Sequence, residues 1–208
     1  VPAGAFALGP EVFCPGGSVT LQATSGAGLS YQWFRDFEKI SGADQEQYIA
    51  SDSGKYTVVV KDASGCYSQS NSVSVRLSIL SAAVRPDTII CLGGSIALWA
   101  VPIGGVAPFS YAWSPSTGLN STTVPDPQAA PDTTRRYTVS ITDSIGCKFS
   151  SAVTIVVTHV EVDASPPVFI CKGESVRLNA AVSNGTPPFR YQWLPSEGLD
   201  VTDVANPL

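Results

Sequence analysis

Tyr137-Thr138-Val139-Ser140-Ile141-Thr142-Asp143-Ser144-Ile145-Gly146-Cys147 closes a segment that opens on Tyr111-Ala112-Trp113, and this stretch decides the fold. Tyr137, Val139 and Ile141 alternate with Thr138, Ser140 and Thr142, the period-two pattern of a strand buried on one face. Asp143-Ser144-Ile145-Gly146 reads as a hairpin turn, and Val153-Thr154-Ile155-Val156-Val157 as the strand after it. Trp113 and Tyr137 are large enough to fill a core between two sheets, one from each half of the segment. Helical periodicity is absent along the chain, so the fold class is all-β.

The same pattern recurs. Tyr31-Gln32-Trp33, Tyr111-Ala112-Trp113 and Tyr191-Gln192-Trp193 stand 80 residues apart at each step (33 to 113 to 193). Cys14-Pro-Gly-Gly-Ser-Val, Cys91-Leu-Gly-Gly-Ser-Ile and Cys171-Lys-Gly-Glu-Ser-Val form a second marker. Tyr56-Thr57-Val58 through Asp62-Ala-Ser-Gly-Cys66 matches Tyr137 through Cys147 as a third. Three markers in fixed order define a tandem array with a period of roughly 80 residues. Its modules span residues 1–80, 81–160 and 161–208, the last incomplete.

Composition agrees. Charged residues make up 14%, against ~25% in average soluble domains, while Ser, Thr, Gly and Pro abound, as short strands and many turns require. The net charge of −5 is spread without runs, which argues against a nucleic-acid partner. No stretch of ~20 apolar residues offers a membrane span. Beginning at Val1, lacking Met and stopping in mid-repeat, the sequence reads as an internal or mature piece of a longer protein.

In the first module, Val19, Leu21 and Ala23 alternate with Thr20 and Gln22, and Leu29, Tyr31 and Trp33 face inward on the next strand. Asp52-Ser53-Gly54-Lys55-Tyr56 leads into the strand Tyr56 to Val60. Asp-x-Gly-x-Tyr is the sequence form of a tyrosine corner, in which the phenol bonds back to nearby backbone. The expected core is Trp33, Trp113, Trp193, Tyr56 and Tyr137. The second module has a different middle, with Pro125, Pro127 and Pro131 marking edges and loops. The third repeats that middle and stops before anything equivalent to residues 129–157. Missing those strands, it would leave Trp193 and its neighbours facing water unless more chain, or another chain, fills the gap.

Cys-x-Gly-x-Ser-Val/Ile, Tyr-x-Trp and Tyr-Thr-Val-x-Val/Ile-x-Asp-x-x-Gly-Cys together resemble the immunoglobulin-like and PKD-like repeats of large secreted surface proteins of Bacteroidota. Module one resembles the immunoglobulin type, modules two and three the PKD type. The resemblance implies linearly arrayed β-sandwiches, export by the type IX route and display at the cell surface. It is specific for the module and not for its role, because such modules serve in gliding adhesins, in filaments and as spacers beside enzymes.

Five cysteines, Cys14, Cys66, Cys91, Cys147 and Cys171, suit an oxidising extracellular setting. Two pairings stand open. Within modules, Cys14 would join Cys66 and Cys91 would join Cys147, leaving Cys171 unpaired. In an immunoglobulin-like sandwich, however, the two turns that carry these cysteines lie at opposite ends. A five-residue strand separates them by ~16 Å, and disulfide Cα atoms must come within ~7 Å. Head-to-tail stacking instead brings one module's first turn to its neighbour's second, pairing Cys14 with Cys147 across the junction and sending Cys66 and Cys91 to neighbouring repeats.

No catalytic constellation emerges, so the chain reads as non-enzymatic and without a cofactor. His159 is the only histidine and lies in a linker; no Cys-x-x-Cys supports a metal site. Asp62, Asp143 and Asp203 lie near turns, where bonding their own backbone competes with binding calcium. Alternation along Ile96-Ala97-Leu98-Trp99-Ala100 turns Trp99 outward, a candidate contact for another chain, a neighbouring repeat or a glycan, against packing on its own loops. Phe34 and Phe37 raise the same question. Asn120-Ser121-Thr122 and Asn184-Gly185-Thr186 fit the eukaryotic N-glycosylation pattern. Asp-Ser/Thr-apolar sequences at Thr88, Thr133 and Ser144 resemble O-glycosylation sites of Bacteroidota. The expected role is extracellular and mechanical: an adhesin at the cell surface, a self-assembling fibre subunit, or spacers of an exported hydrolase. Partners would be other repeats of the same protein, with surface glycans or proteins bound by domains outside this sequence.

Overall fold

Alternating burial runs along Val19–Ala23, Tyr56–Val60 and Tyr137–Ile141, the strand segments at the centre of the two cores. The computed structural model describes residues 2–208. In the first module the strands are β1 (Ala5–Ala7), β2 (Val12–Phe13), β3 (Val19–Ala23), β4 (Ser30–Arg35), β5 (Glu38–Lys39), β6 (Gln47–Ala50), β7 (Gly54–Lys61), β8 (Tyr67–Gln69) and β9 (Val73–Leu77). One sheet runs β1-β3-β6; the other runs β2-β9-β7-β4-β5, with β8 added beside β7. Val19, Leu21 and Ala23 of β3 face Tyr56, Val58 and Val60 of β7 across a closed core centred on Trp33, which is fully buried. The Trp33 indole N–H donates to Gln45 O at 2.9 Å, so this polar atom is satisfied inside the core. The Tyr56 hydroxyl donates to Asp52 O at 2.9 Å, which is the tyrosine corner.

The second module comprises β10 (Leu80–Val84), β11 (Thr88–Cys91), β12 (Ile96–Ala97), β13 (Ala100–Gly104), β14 (Ser110–Ser114), β15 (Gln128–Ala129), β16 (Arg135–Thr142) and β17 (Lys148–Thr158). Its larger sheet is β11-β17-β16-β14, and two short pairs, β10-β13 and β12-β15, make the opposite face. The hairpin β16–β17 pairs Arg135 with Ile155 through Thr142 with Lys148, while Trp113 of β14 lies opposite Val139. A second core gathers Leu80, Leu98, Trp113, Tyr137, Val139, Ile141, Val153 and Ile155. Trp113 again satisfies its indole N–H, on Val124 O at 2.9 Å.

Residues 159–208 hold only β18 (Val160–Ala164) and β19 (Ala180–Asn184), paired with each other. The loops nevertheless repeat the second module's bonds. Trp193 N donates to Thr202 O as Trp113 N does to Thr122 O, and the Trp193 indole donates to Val204 O. Trp193, expected in a core, is only half-buried, and Leu194 beside it is exposed. Among the described residues no strand lies over Trp193 to cover it.

Candidate functional site

The chemistry of this chain concentrates where the first module meets the second. Cys14 follows β2 in a tight turn closed by Gly17 N donating to Cys14 O at 2.8 Å. A side chain at Gly17 would press on that same carbonyl, 3.1 Å from the Cβ position. Cys147 follows the turn Asp143–Gly146, in which Asp143 N donates to Cys147 O at 3.0 Å and Gly146 N to Asp143 O at 3.1 Å. The two cysteines are joined, with Cα atoms 5.2 Å apart and 133 residues between them in sequence. The pairings Cys14–Cys66 and Cys91–Cys147 are not formed, and Cys66, Cys91 and Cys171 are free and exposed.

Asp143 organises the turn. Its carboxylate is buried and accepts from Val106 N at 3.0 Å, Ile145 N at 3.1 Å and Cys147 N at 2.8 Å, so three backbone donors replace the water it gave up. The Ser144 hydroxyl and N–H both reach Val106 O. Asp62 makes the same turn in the first module, accepting from Ser64 N and Cys66 N, but there nothing packs over it and Cys66 is exposed. Both carboxylates are thus engaged by their own turns, and among the described residues no three His, Cys, Asp or Glu side chains come together around a metal position. Asp203 is exposed.

A ring of contacts surrounds the linker. Phe13, next to Cys14, accepts from Ser78 N at 2.8 Å; Ile79 O accepts from Gly105 N at 3.1 Å; and Val106 then bonds the Asp143 turn, returning to Cys147 and across the S–S bond. Gly104 has φ +73, and a Cβ there would lie 2.3 Å from Ile79 O, so only glycine lets the two backbones approach. The modules are therefore joined twice, by the main chain at Ser78–Ile79 and by the disulfide. A hinge at the linker would have to break this ring.

The remaining candidates lie apart from the junction. Trp99 is half-buried in a break between β12 and β13, where its carbonyl accepts from Arg85 N at 3.0 Å. Phe34 is half-buried on β4, whereas Phe37 is 88% exposed at the tip of the β4–β5 turn with φ 72. Thr133 is exposed in a loop; Thr88 is partly buried in β11; and Ser144 is exposed with its hydroxyl engaged. Asn120 uses its side-chain oxygen to accept from Gln128 N, and Asn184 donates to Glu161. His159 Nε2 lies 3.0 Å from Glu161 Oε1, a hydrogen bond that holds the Glu161 carboxyl below its ordinary range. No helix is long and apolar enough to cross a membrane among the described residues.

The architecture compares with known structures. The three N-terminal domains of the bacteriophage RB49 Highly Immunogenic Outer Capsid protein superpose with a TM-score of 0.53 at 17% identity, over 99% of this chain and 84% of that one. The fold is a tandem array of immunoglobulin-like β-sandwiches. A titin fragment of domains I67–I69 in an E-to-A variant gives a TM-score of 0.45 at 15% identity, over 98% of this chain and 82% of that one. No protein-family model and no curated protein matches the sequence.

Proposed function

We propose that this chain is a stretch of a long extracellular adhesin, exported by the type IX route as the resemblance of its repeats implies, whose modules hold distal binding domains away from the cell surface. The observation that carries this reading is the Cys14–Cys147 bond between modules. Such a bond requires an oxidising compartment, and placing it between modules stiffens the array rather than stabilising one core. It also changes how tension runs. Pull applied at the two ends would pass along the chain to Cys14, cross to Cys147 and leave by β17, so the residues between the cysteines are spared. A stalk under shear needs that property. The role is non-enzymatic.

A second reading, a subunit of a surface fibre, is favoured by one feature: the apolar side chains Val101 and Ile103 on β13 of the second module are exposed and stand outside its core. Immunogold electron microscopy with an antibody against this chain, on intact cells of the producing organism, separates the two. Single threads projecting from the surface support the adhesin. Ordered fibres with a fixed subunit repeat overturn it in favour of the fibre, and label confined to the cell interior overturns both.

A further inference from the structure

Residues 159–208 reproduce one half of the second module and leave open the space of the other half. Leu178 N donates to Pro207 O and Ala180 N to Ala205 O, as Leu98 N does to Pro127 O and Ala100 N to Pro125 O. The backbone is therefore already set for a full module. In the second module β16 pairs along β14, with Val139 opposite Trp113, which is 4% exposed. At the matching place lies an open groove of about 470 Å³ lined by Val162, Ala164, Ala180, Tyr191, Trp193 and Leu194. Beside it, Val168-Phe169-Ile170 matches Thr88-Ile89-Ile90, which pairs in parallel with β17; here the three are unpaired and Phe169 is 101% exposed.

The second junction is open in the same way. A Cβ on Gly105 would meet Leu80, Phe109 and Asp143, the last belonging to the turn that ends in Cys147. A Cβ on Gly185 would meet Val160 and Phe189, the counterparts of the first two, and finds no acidic third neighbour. A cavity of about 480 Å³ occupies that position, lined by Cys91, Leu92, Thr158, His159, Gly185 and Thr186. Cys91 sits on a turn of the Cys14 type, closed by Gly94 N donating to Cys91 O at 2.9 Å. One junction thus holds an Asp-x-x-Gly-Cys turn against its cysteine, and the other holds a free cysteine facing the space for one.

We propose that residues 159–208 are an acceptor whose occupant is a β-hairpin of the class Tyr-x-Val-x-Ile-x-Asp-x-x-Gly-Cys, and that the hairpin's cysteine forms a disulfide with Cys91. Its first strand pairs along residues 190–194 with its apolar side next to Trp193, and its second strand pairs with residues 168–170. The two thiols become one disulfide by exchange with a small-molecule disulfide such as oxidised glutathione, which accepts both electrons and leaves as two thiols. This assignment is independent of whether the array serves as stalk or fibre.

The test lengthens the 208-residue chain after Leu208 with a copy of its own residues 129–158, refolded with reduced and oxidised glutathione. The expected result is loss of Cys91 reactivity towards an alkylating reagent, a Cys91-to-hairpin disulfide in the peptide map, and a blue shift of tryptophan emission that Trp193→Phe removes. In the lengthened chain carrying Cys91→Ser, the emission shift persists while the hairpin cysteine stays reactive, which separates filling of the groove from the bond. The proposal is overturned if Cys91 still alkylates and Trp193 emission matches that of the original chain. It is likewise overturned if the added cysteine bonds Cys171 or Cys66 instead.

Discussion

Replacing Cys14 by Ser removes the staple at the least collateral cost, because Cys14 is half-buried whereas Cys147 is 2% exposed and a hydroxyl there would enter the core. The magnitude follows from the loop the bond closes. When the first module unfolds while the second stays folded, the closed loop runs from Cys14 to the linker at Ser78–Ile79, about 65 residues, and the lost denatured-state entropy corresponds to ~4 kcal/mol. When both unfold, the separation of 133 residues corresponds to about 5 kcal/mol. In a module of this size each kcal/mol moves Tm by about 4–8 °C. Cys14→Ser should therefore lower the first module's Tm by on the order of 15–30 °C. Scanning calorimetry of the oxidised chain and the variant reads this directly, with emission at Trp33 and Trp113 assigning the transitions to the two cores. Reductant should move the unmodified chain to the variant's Tm and leave the variant unchanged. A shift below about 4 °C, or an equal response of the variant to reductant, would refute the reasoning.

Three further outcomes follow from burial and bonding. Trp113→Ala empties the second core and should cost about 3–5 kcal/mol, whereas Trp193→Ala, half-exposed, should cost less than ~1.5 kcal/mol; urea titration of each variant compares them. Asp143→Ala strands the N–H groups of Val106, Ile145 and Cys147 and should cost about 2–4 kcal/mol, while Asp62→Ala, on a turn open to water, should cost below ~1 kcal/mol. Burial raises the Tyr137 and Tyr56 hydroxyls above their ordinary value of 10.0. The folded state therefore favours the neutral phenol, a contribution fully present below about pH 10 and lost as pH rises through the folded values. Circular dichroism melts between about pH 8 and 12 should show Tm falling only above ~10, and a Tm that holds through that range contradicts the assignment.

The strands were legible because burial leaves a period-two signature, and Leu21, Val58, Val139 and Ile141 carry it without interruption. Local patterning carries less about which loops face each other. Along Ile96 to Ala100 the alternation is right, with Leu98 and Ala100 buried, yet the segment is not one strand. Leu98 and Ala100 donate to the carbonyls of Pro127 and Pro125, so the chain changes partners there from β15 to β10, and the position of that proline loop has no local signal. Trp99, between the buried Leu98 and Ala100, is half-buried at this break. Trp193 matches the core positions Trp33 and Trp113, and its half-burial agrees with the reading that a third module without the strands equivalent to residues 129–157 leaves it facing water. The cysteine spacing left two pairings open: which one forms depends on the meeting of the Cys14 and Asp143 turns at the junction. The glycines at 104 and 105, which admit that meeting, have no distinctive pattern among the chain's many glycines.

Single-molecule pulling between the two ends of the oxidised chain addresses the central claim, that tension bypasses most of the first two modules through Cys14–Cys147. With 133 residues bridged and a contour of ~3.6 Å per residue, about 480 Å of chain should stay hidden at any force that leaves the disulfide intact and appear once reductant is added. Release of that length without reductant would contradict the account.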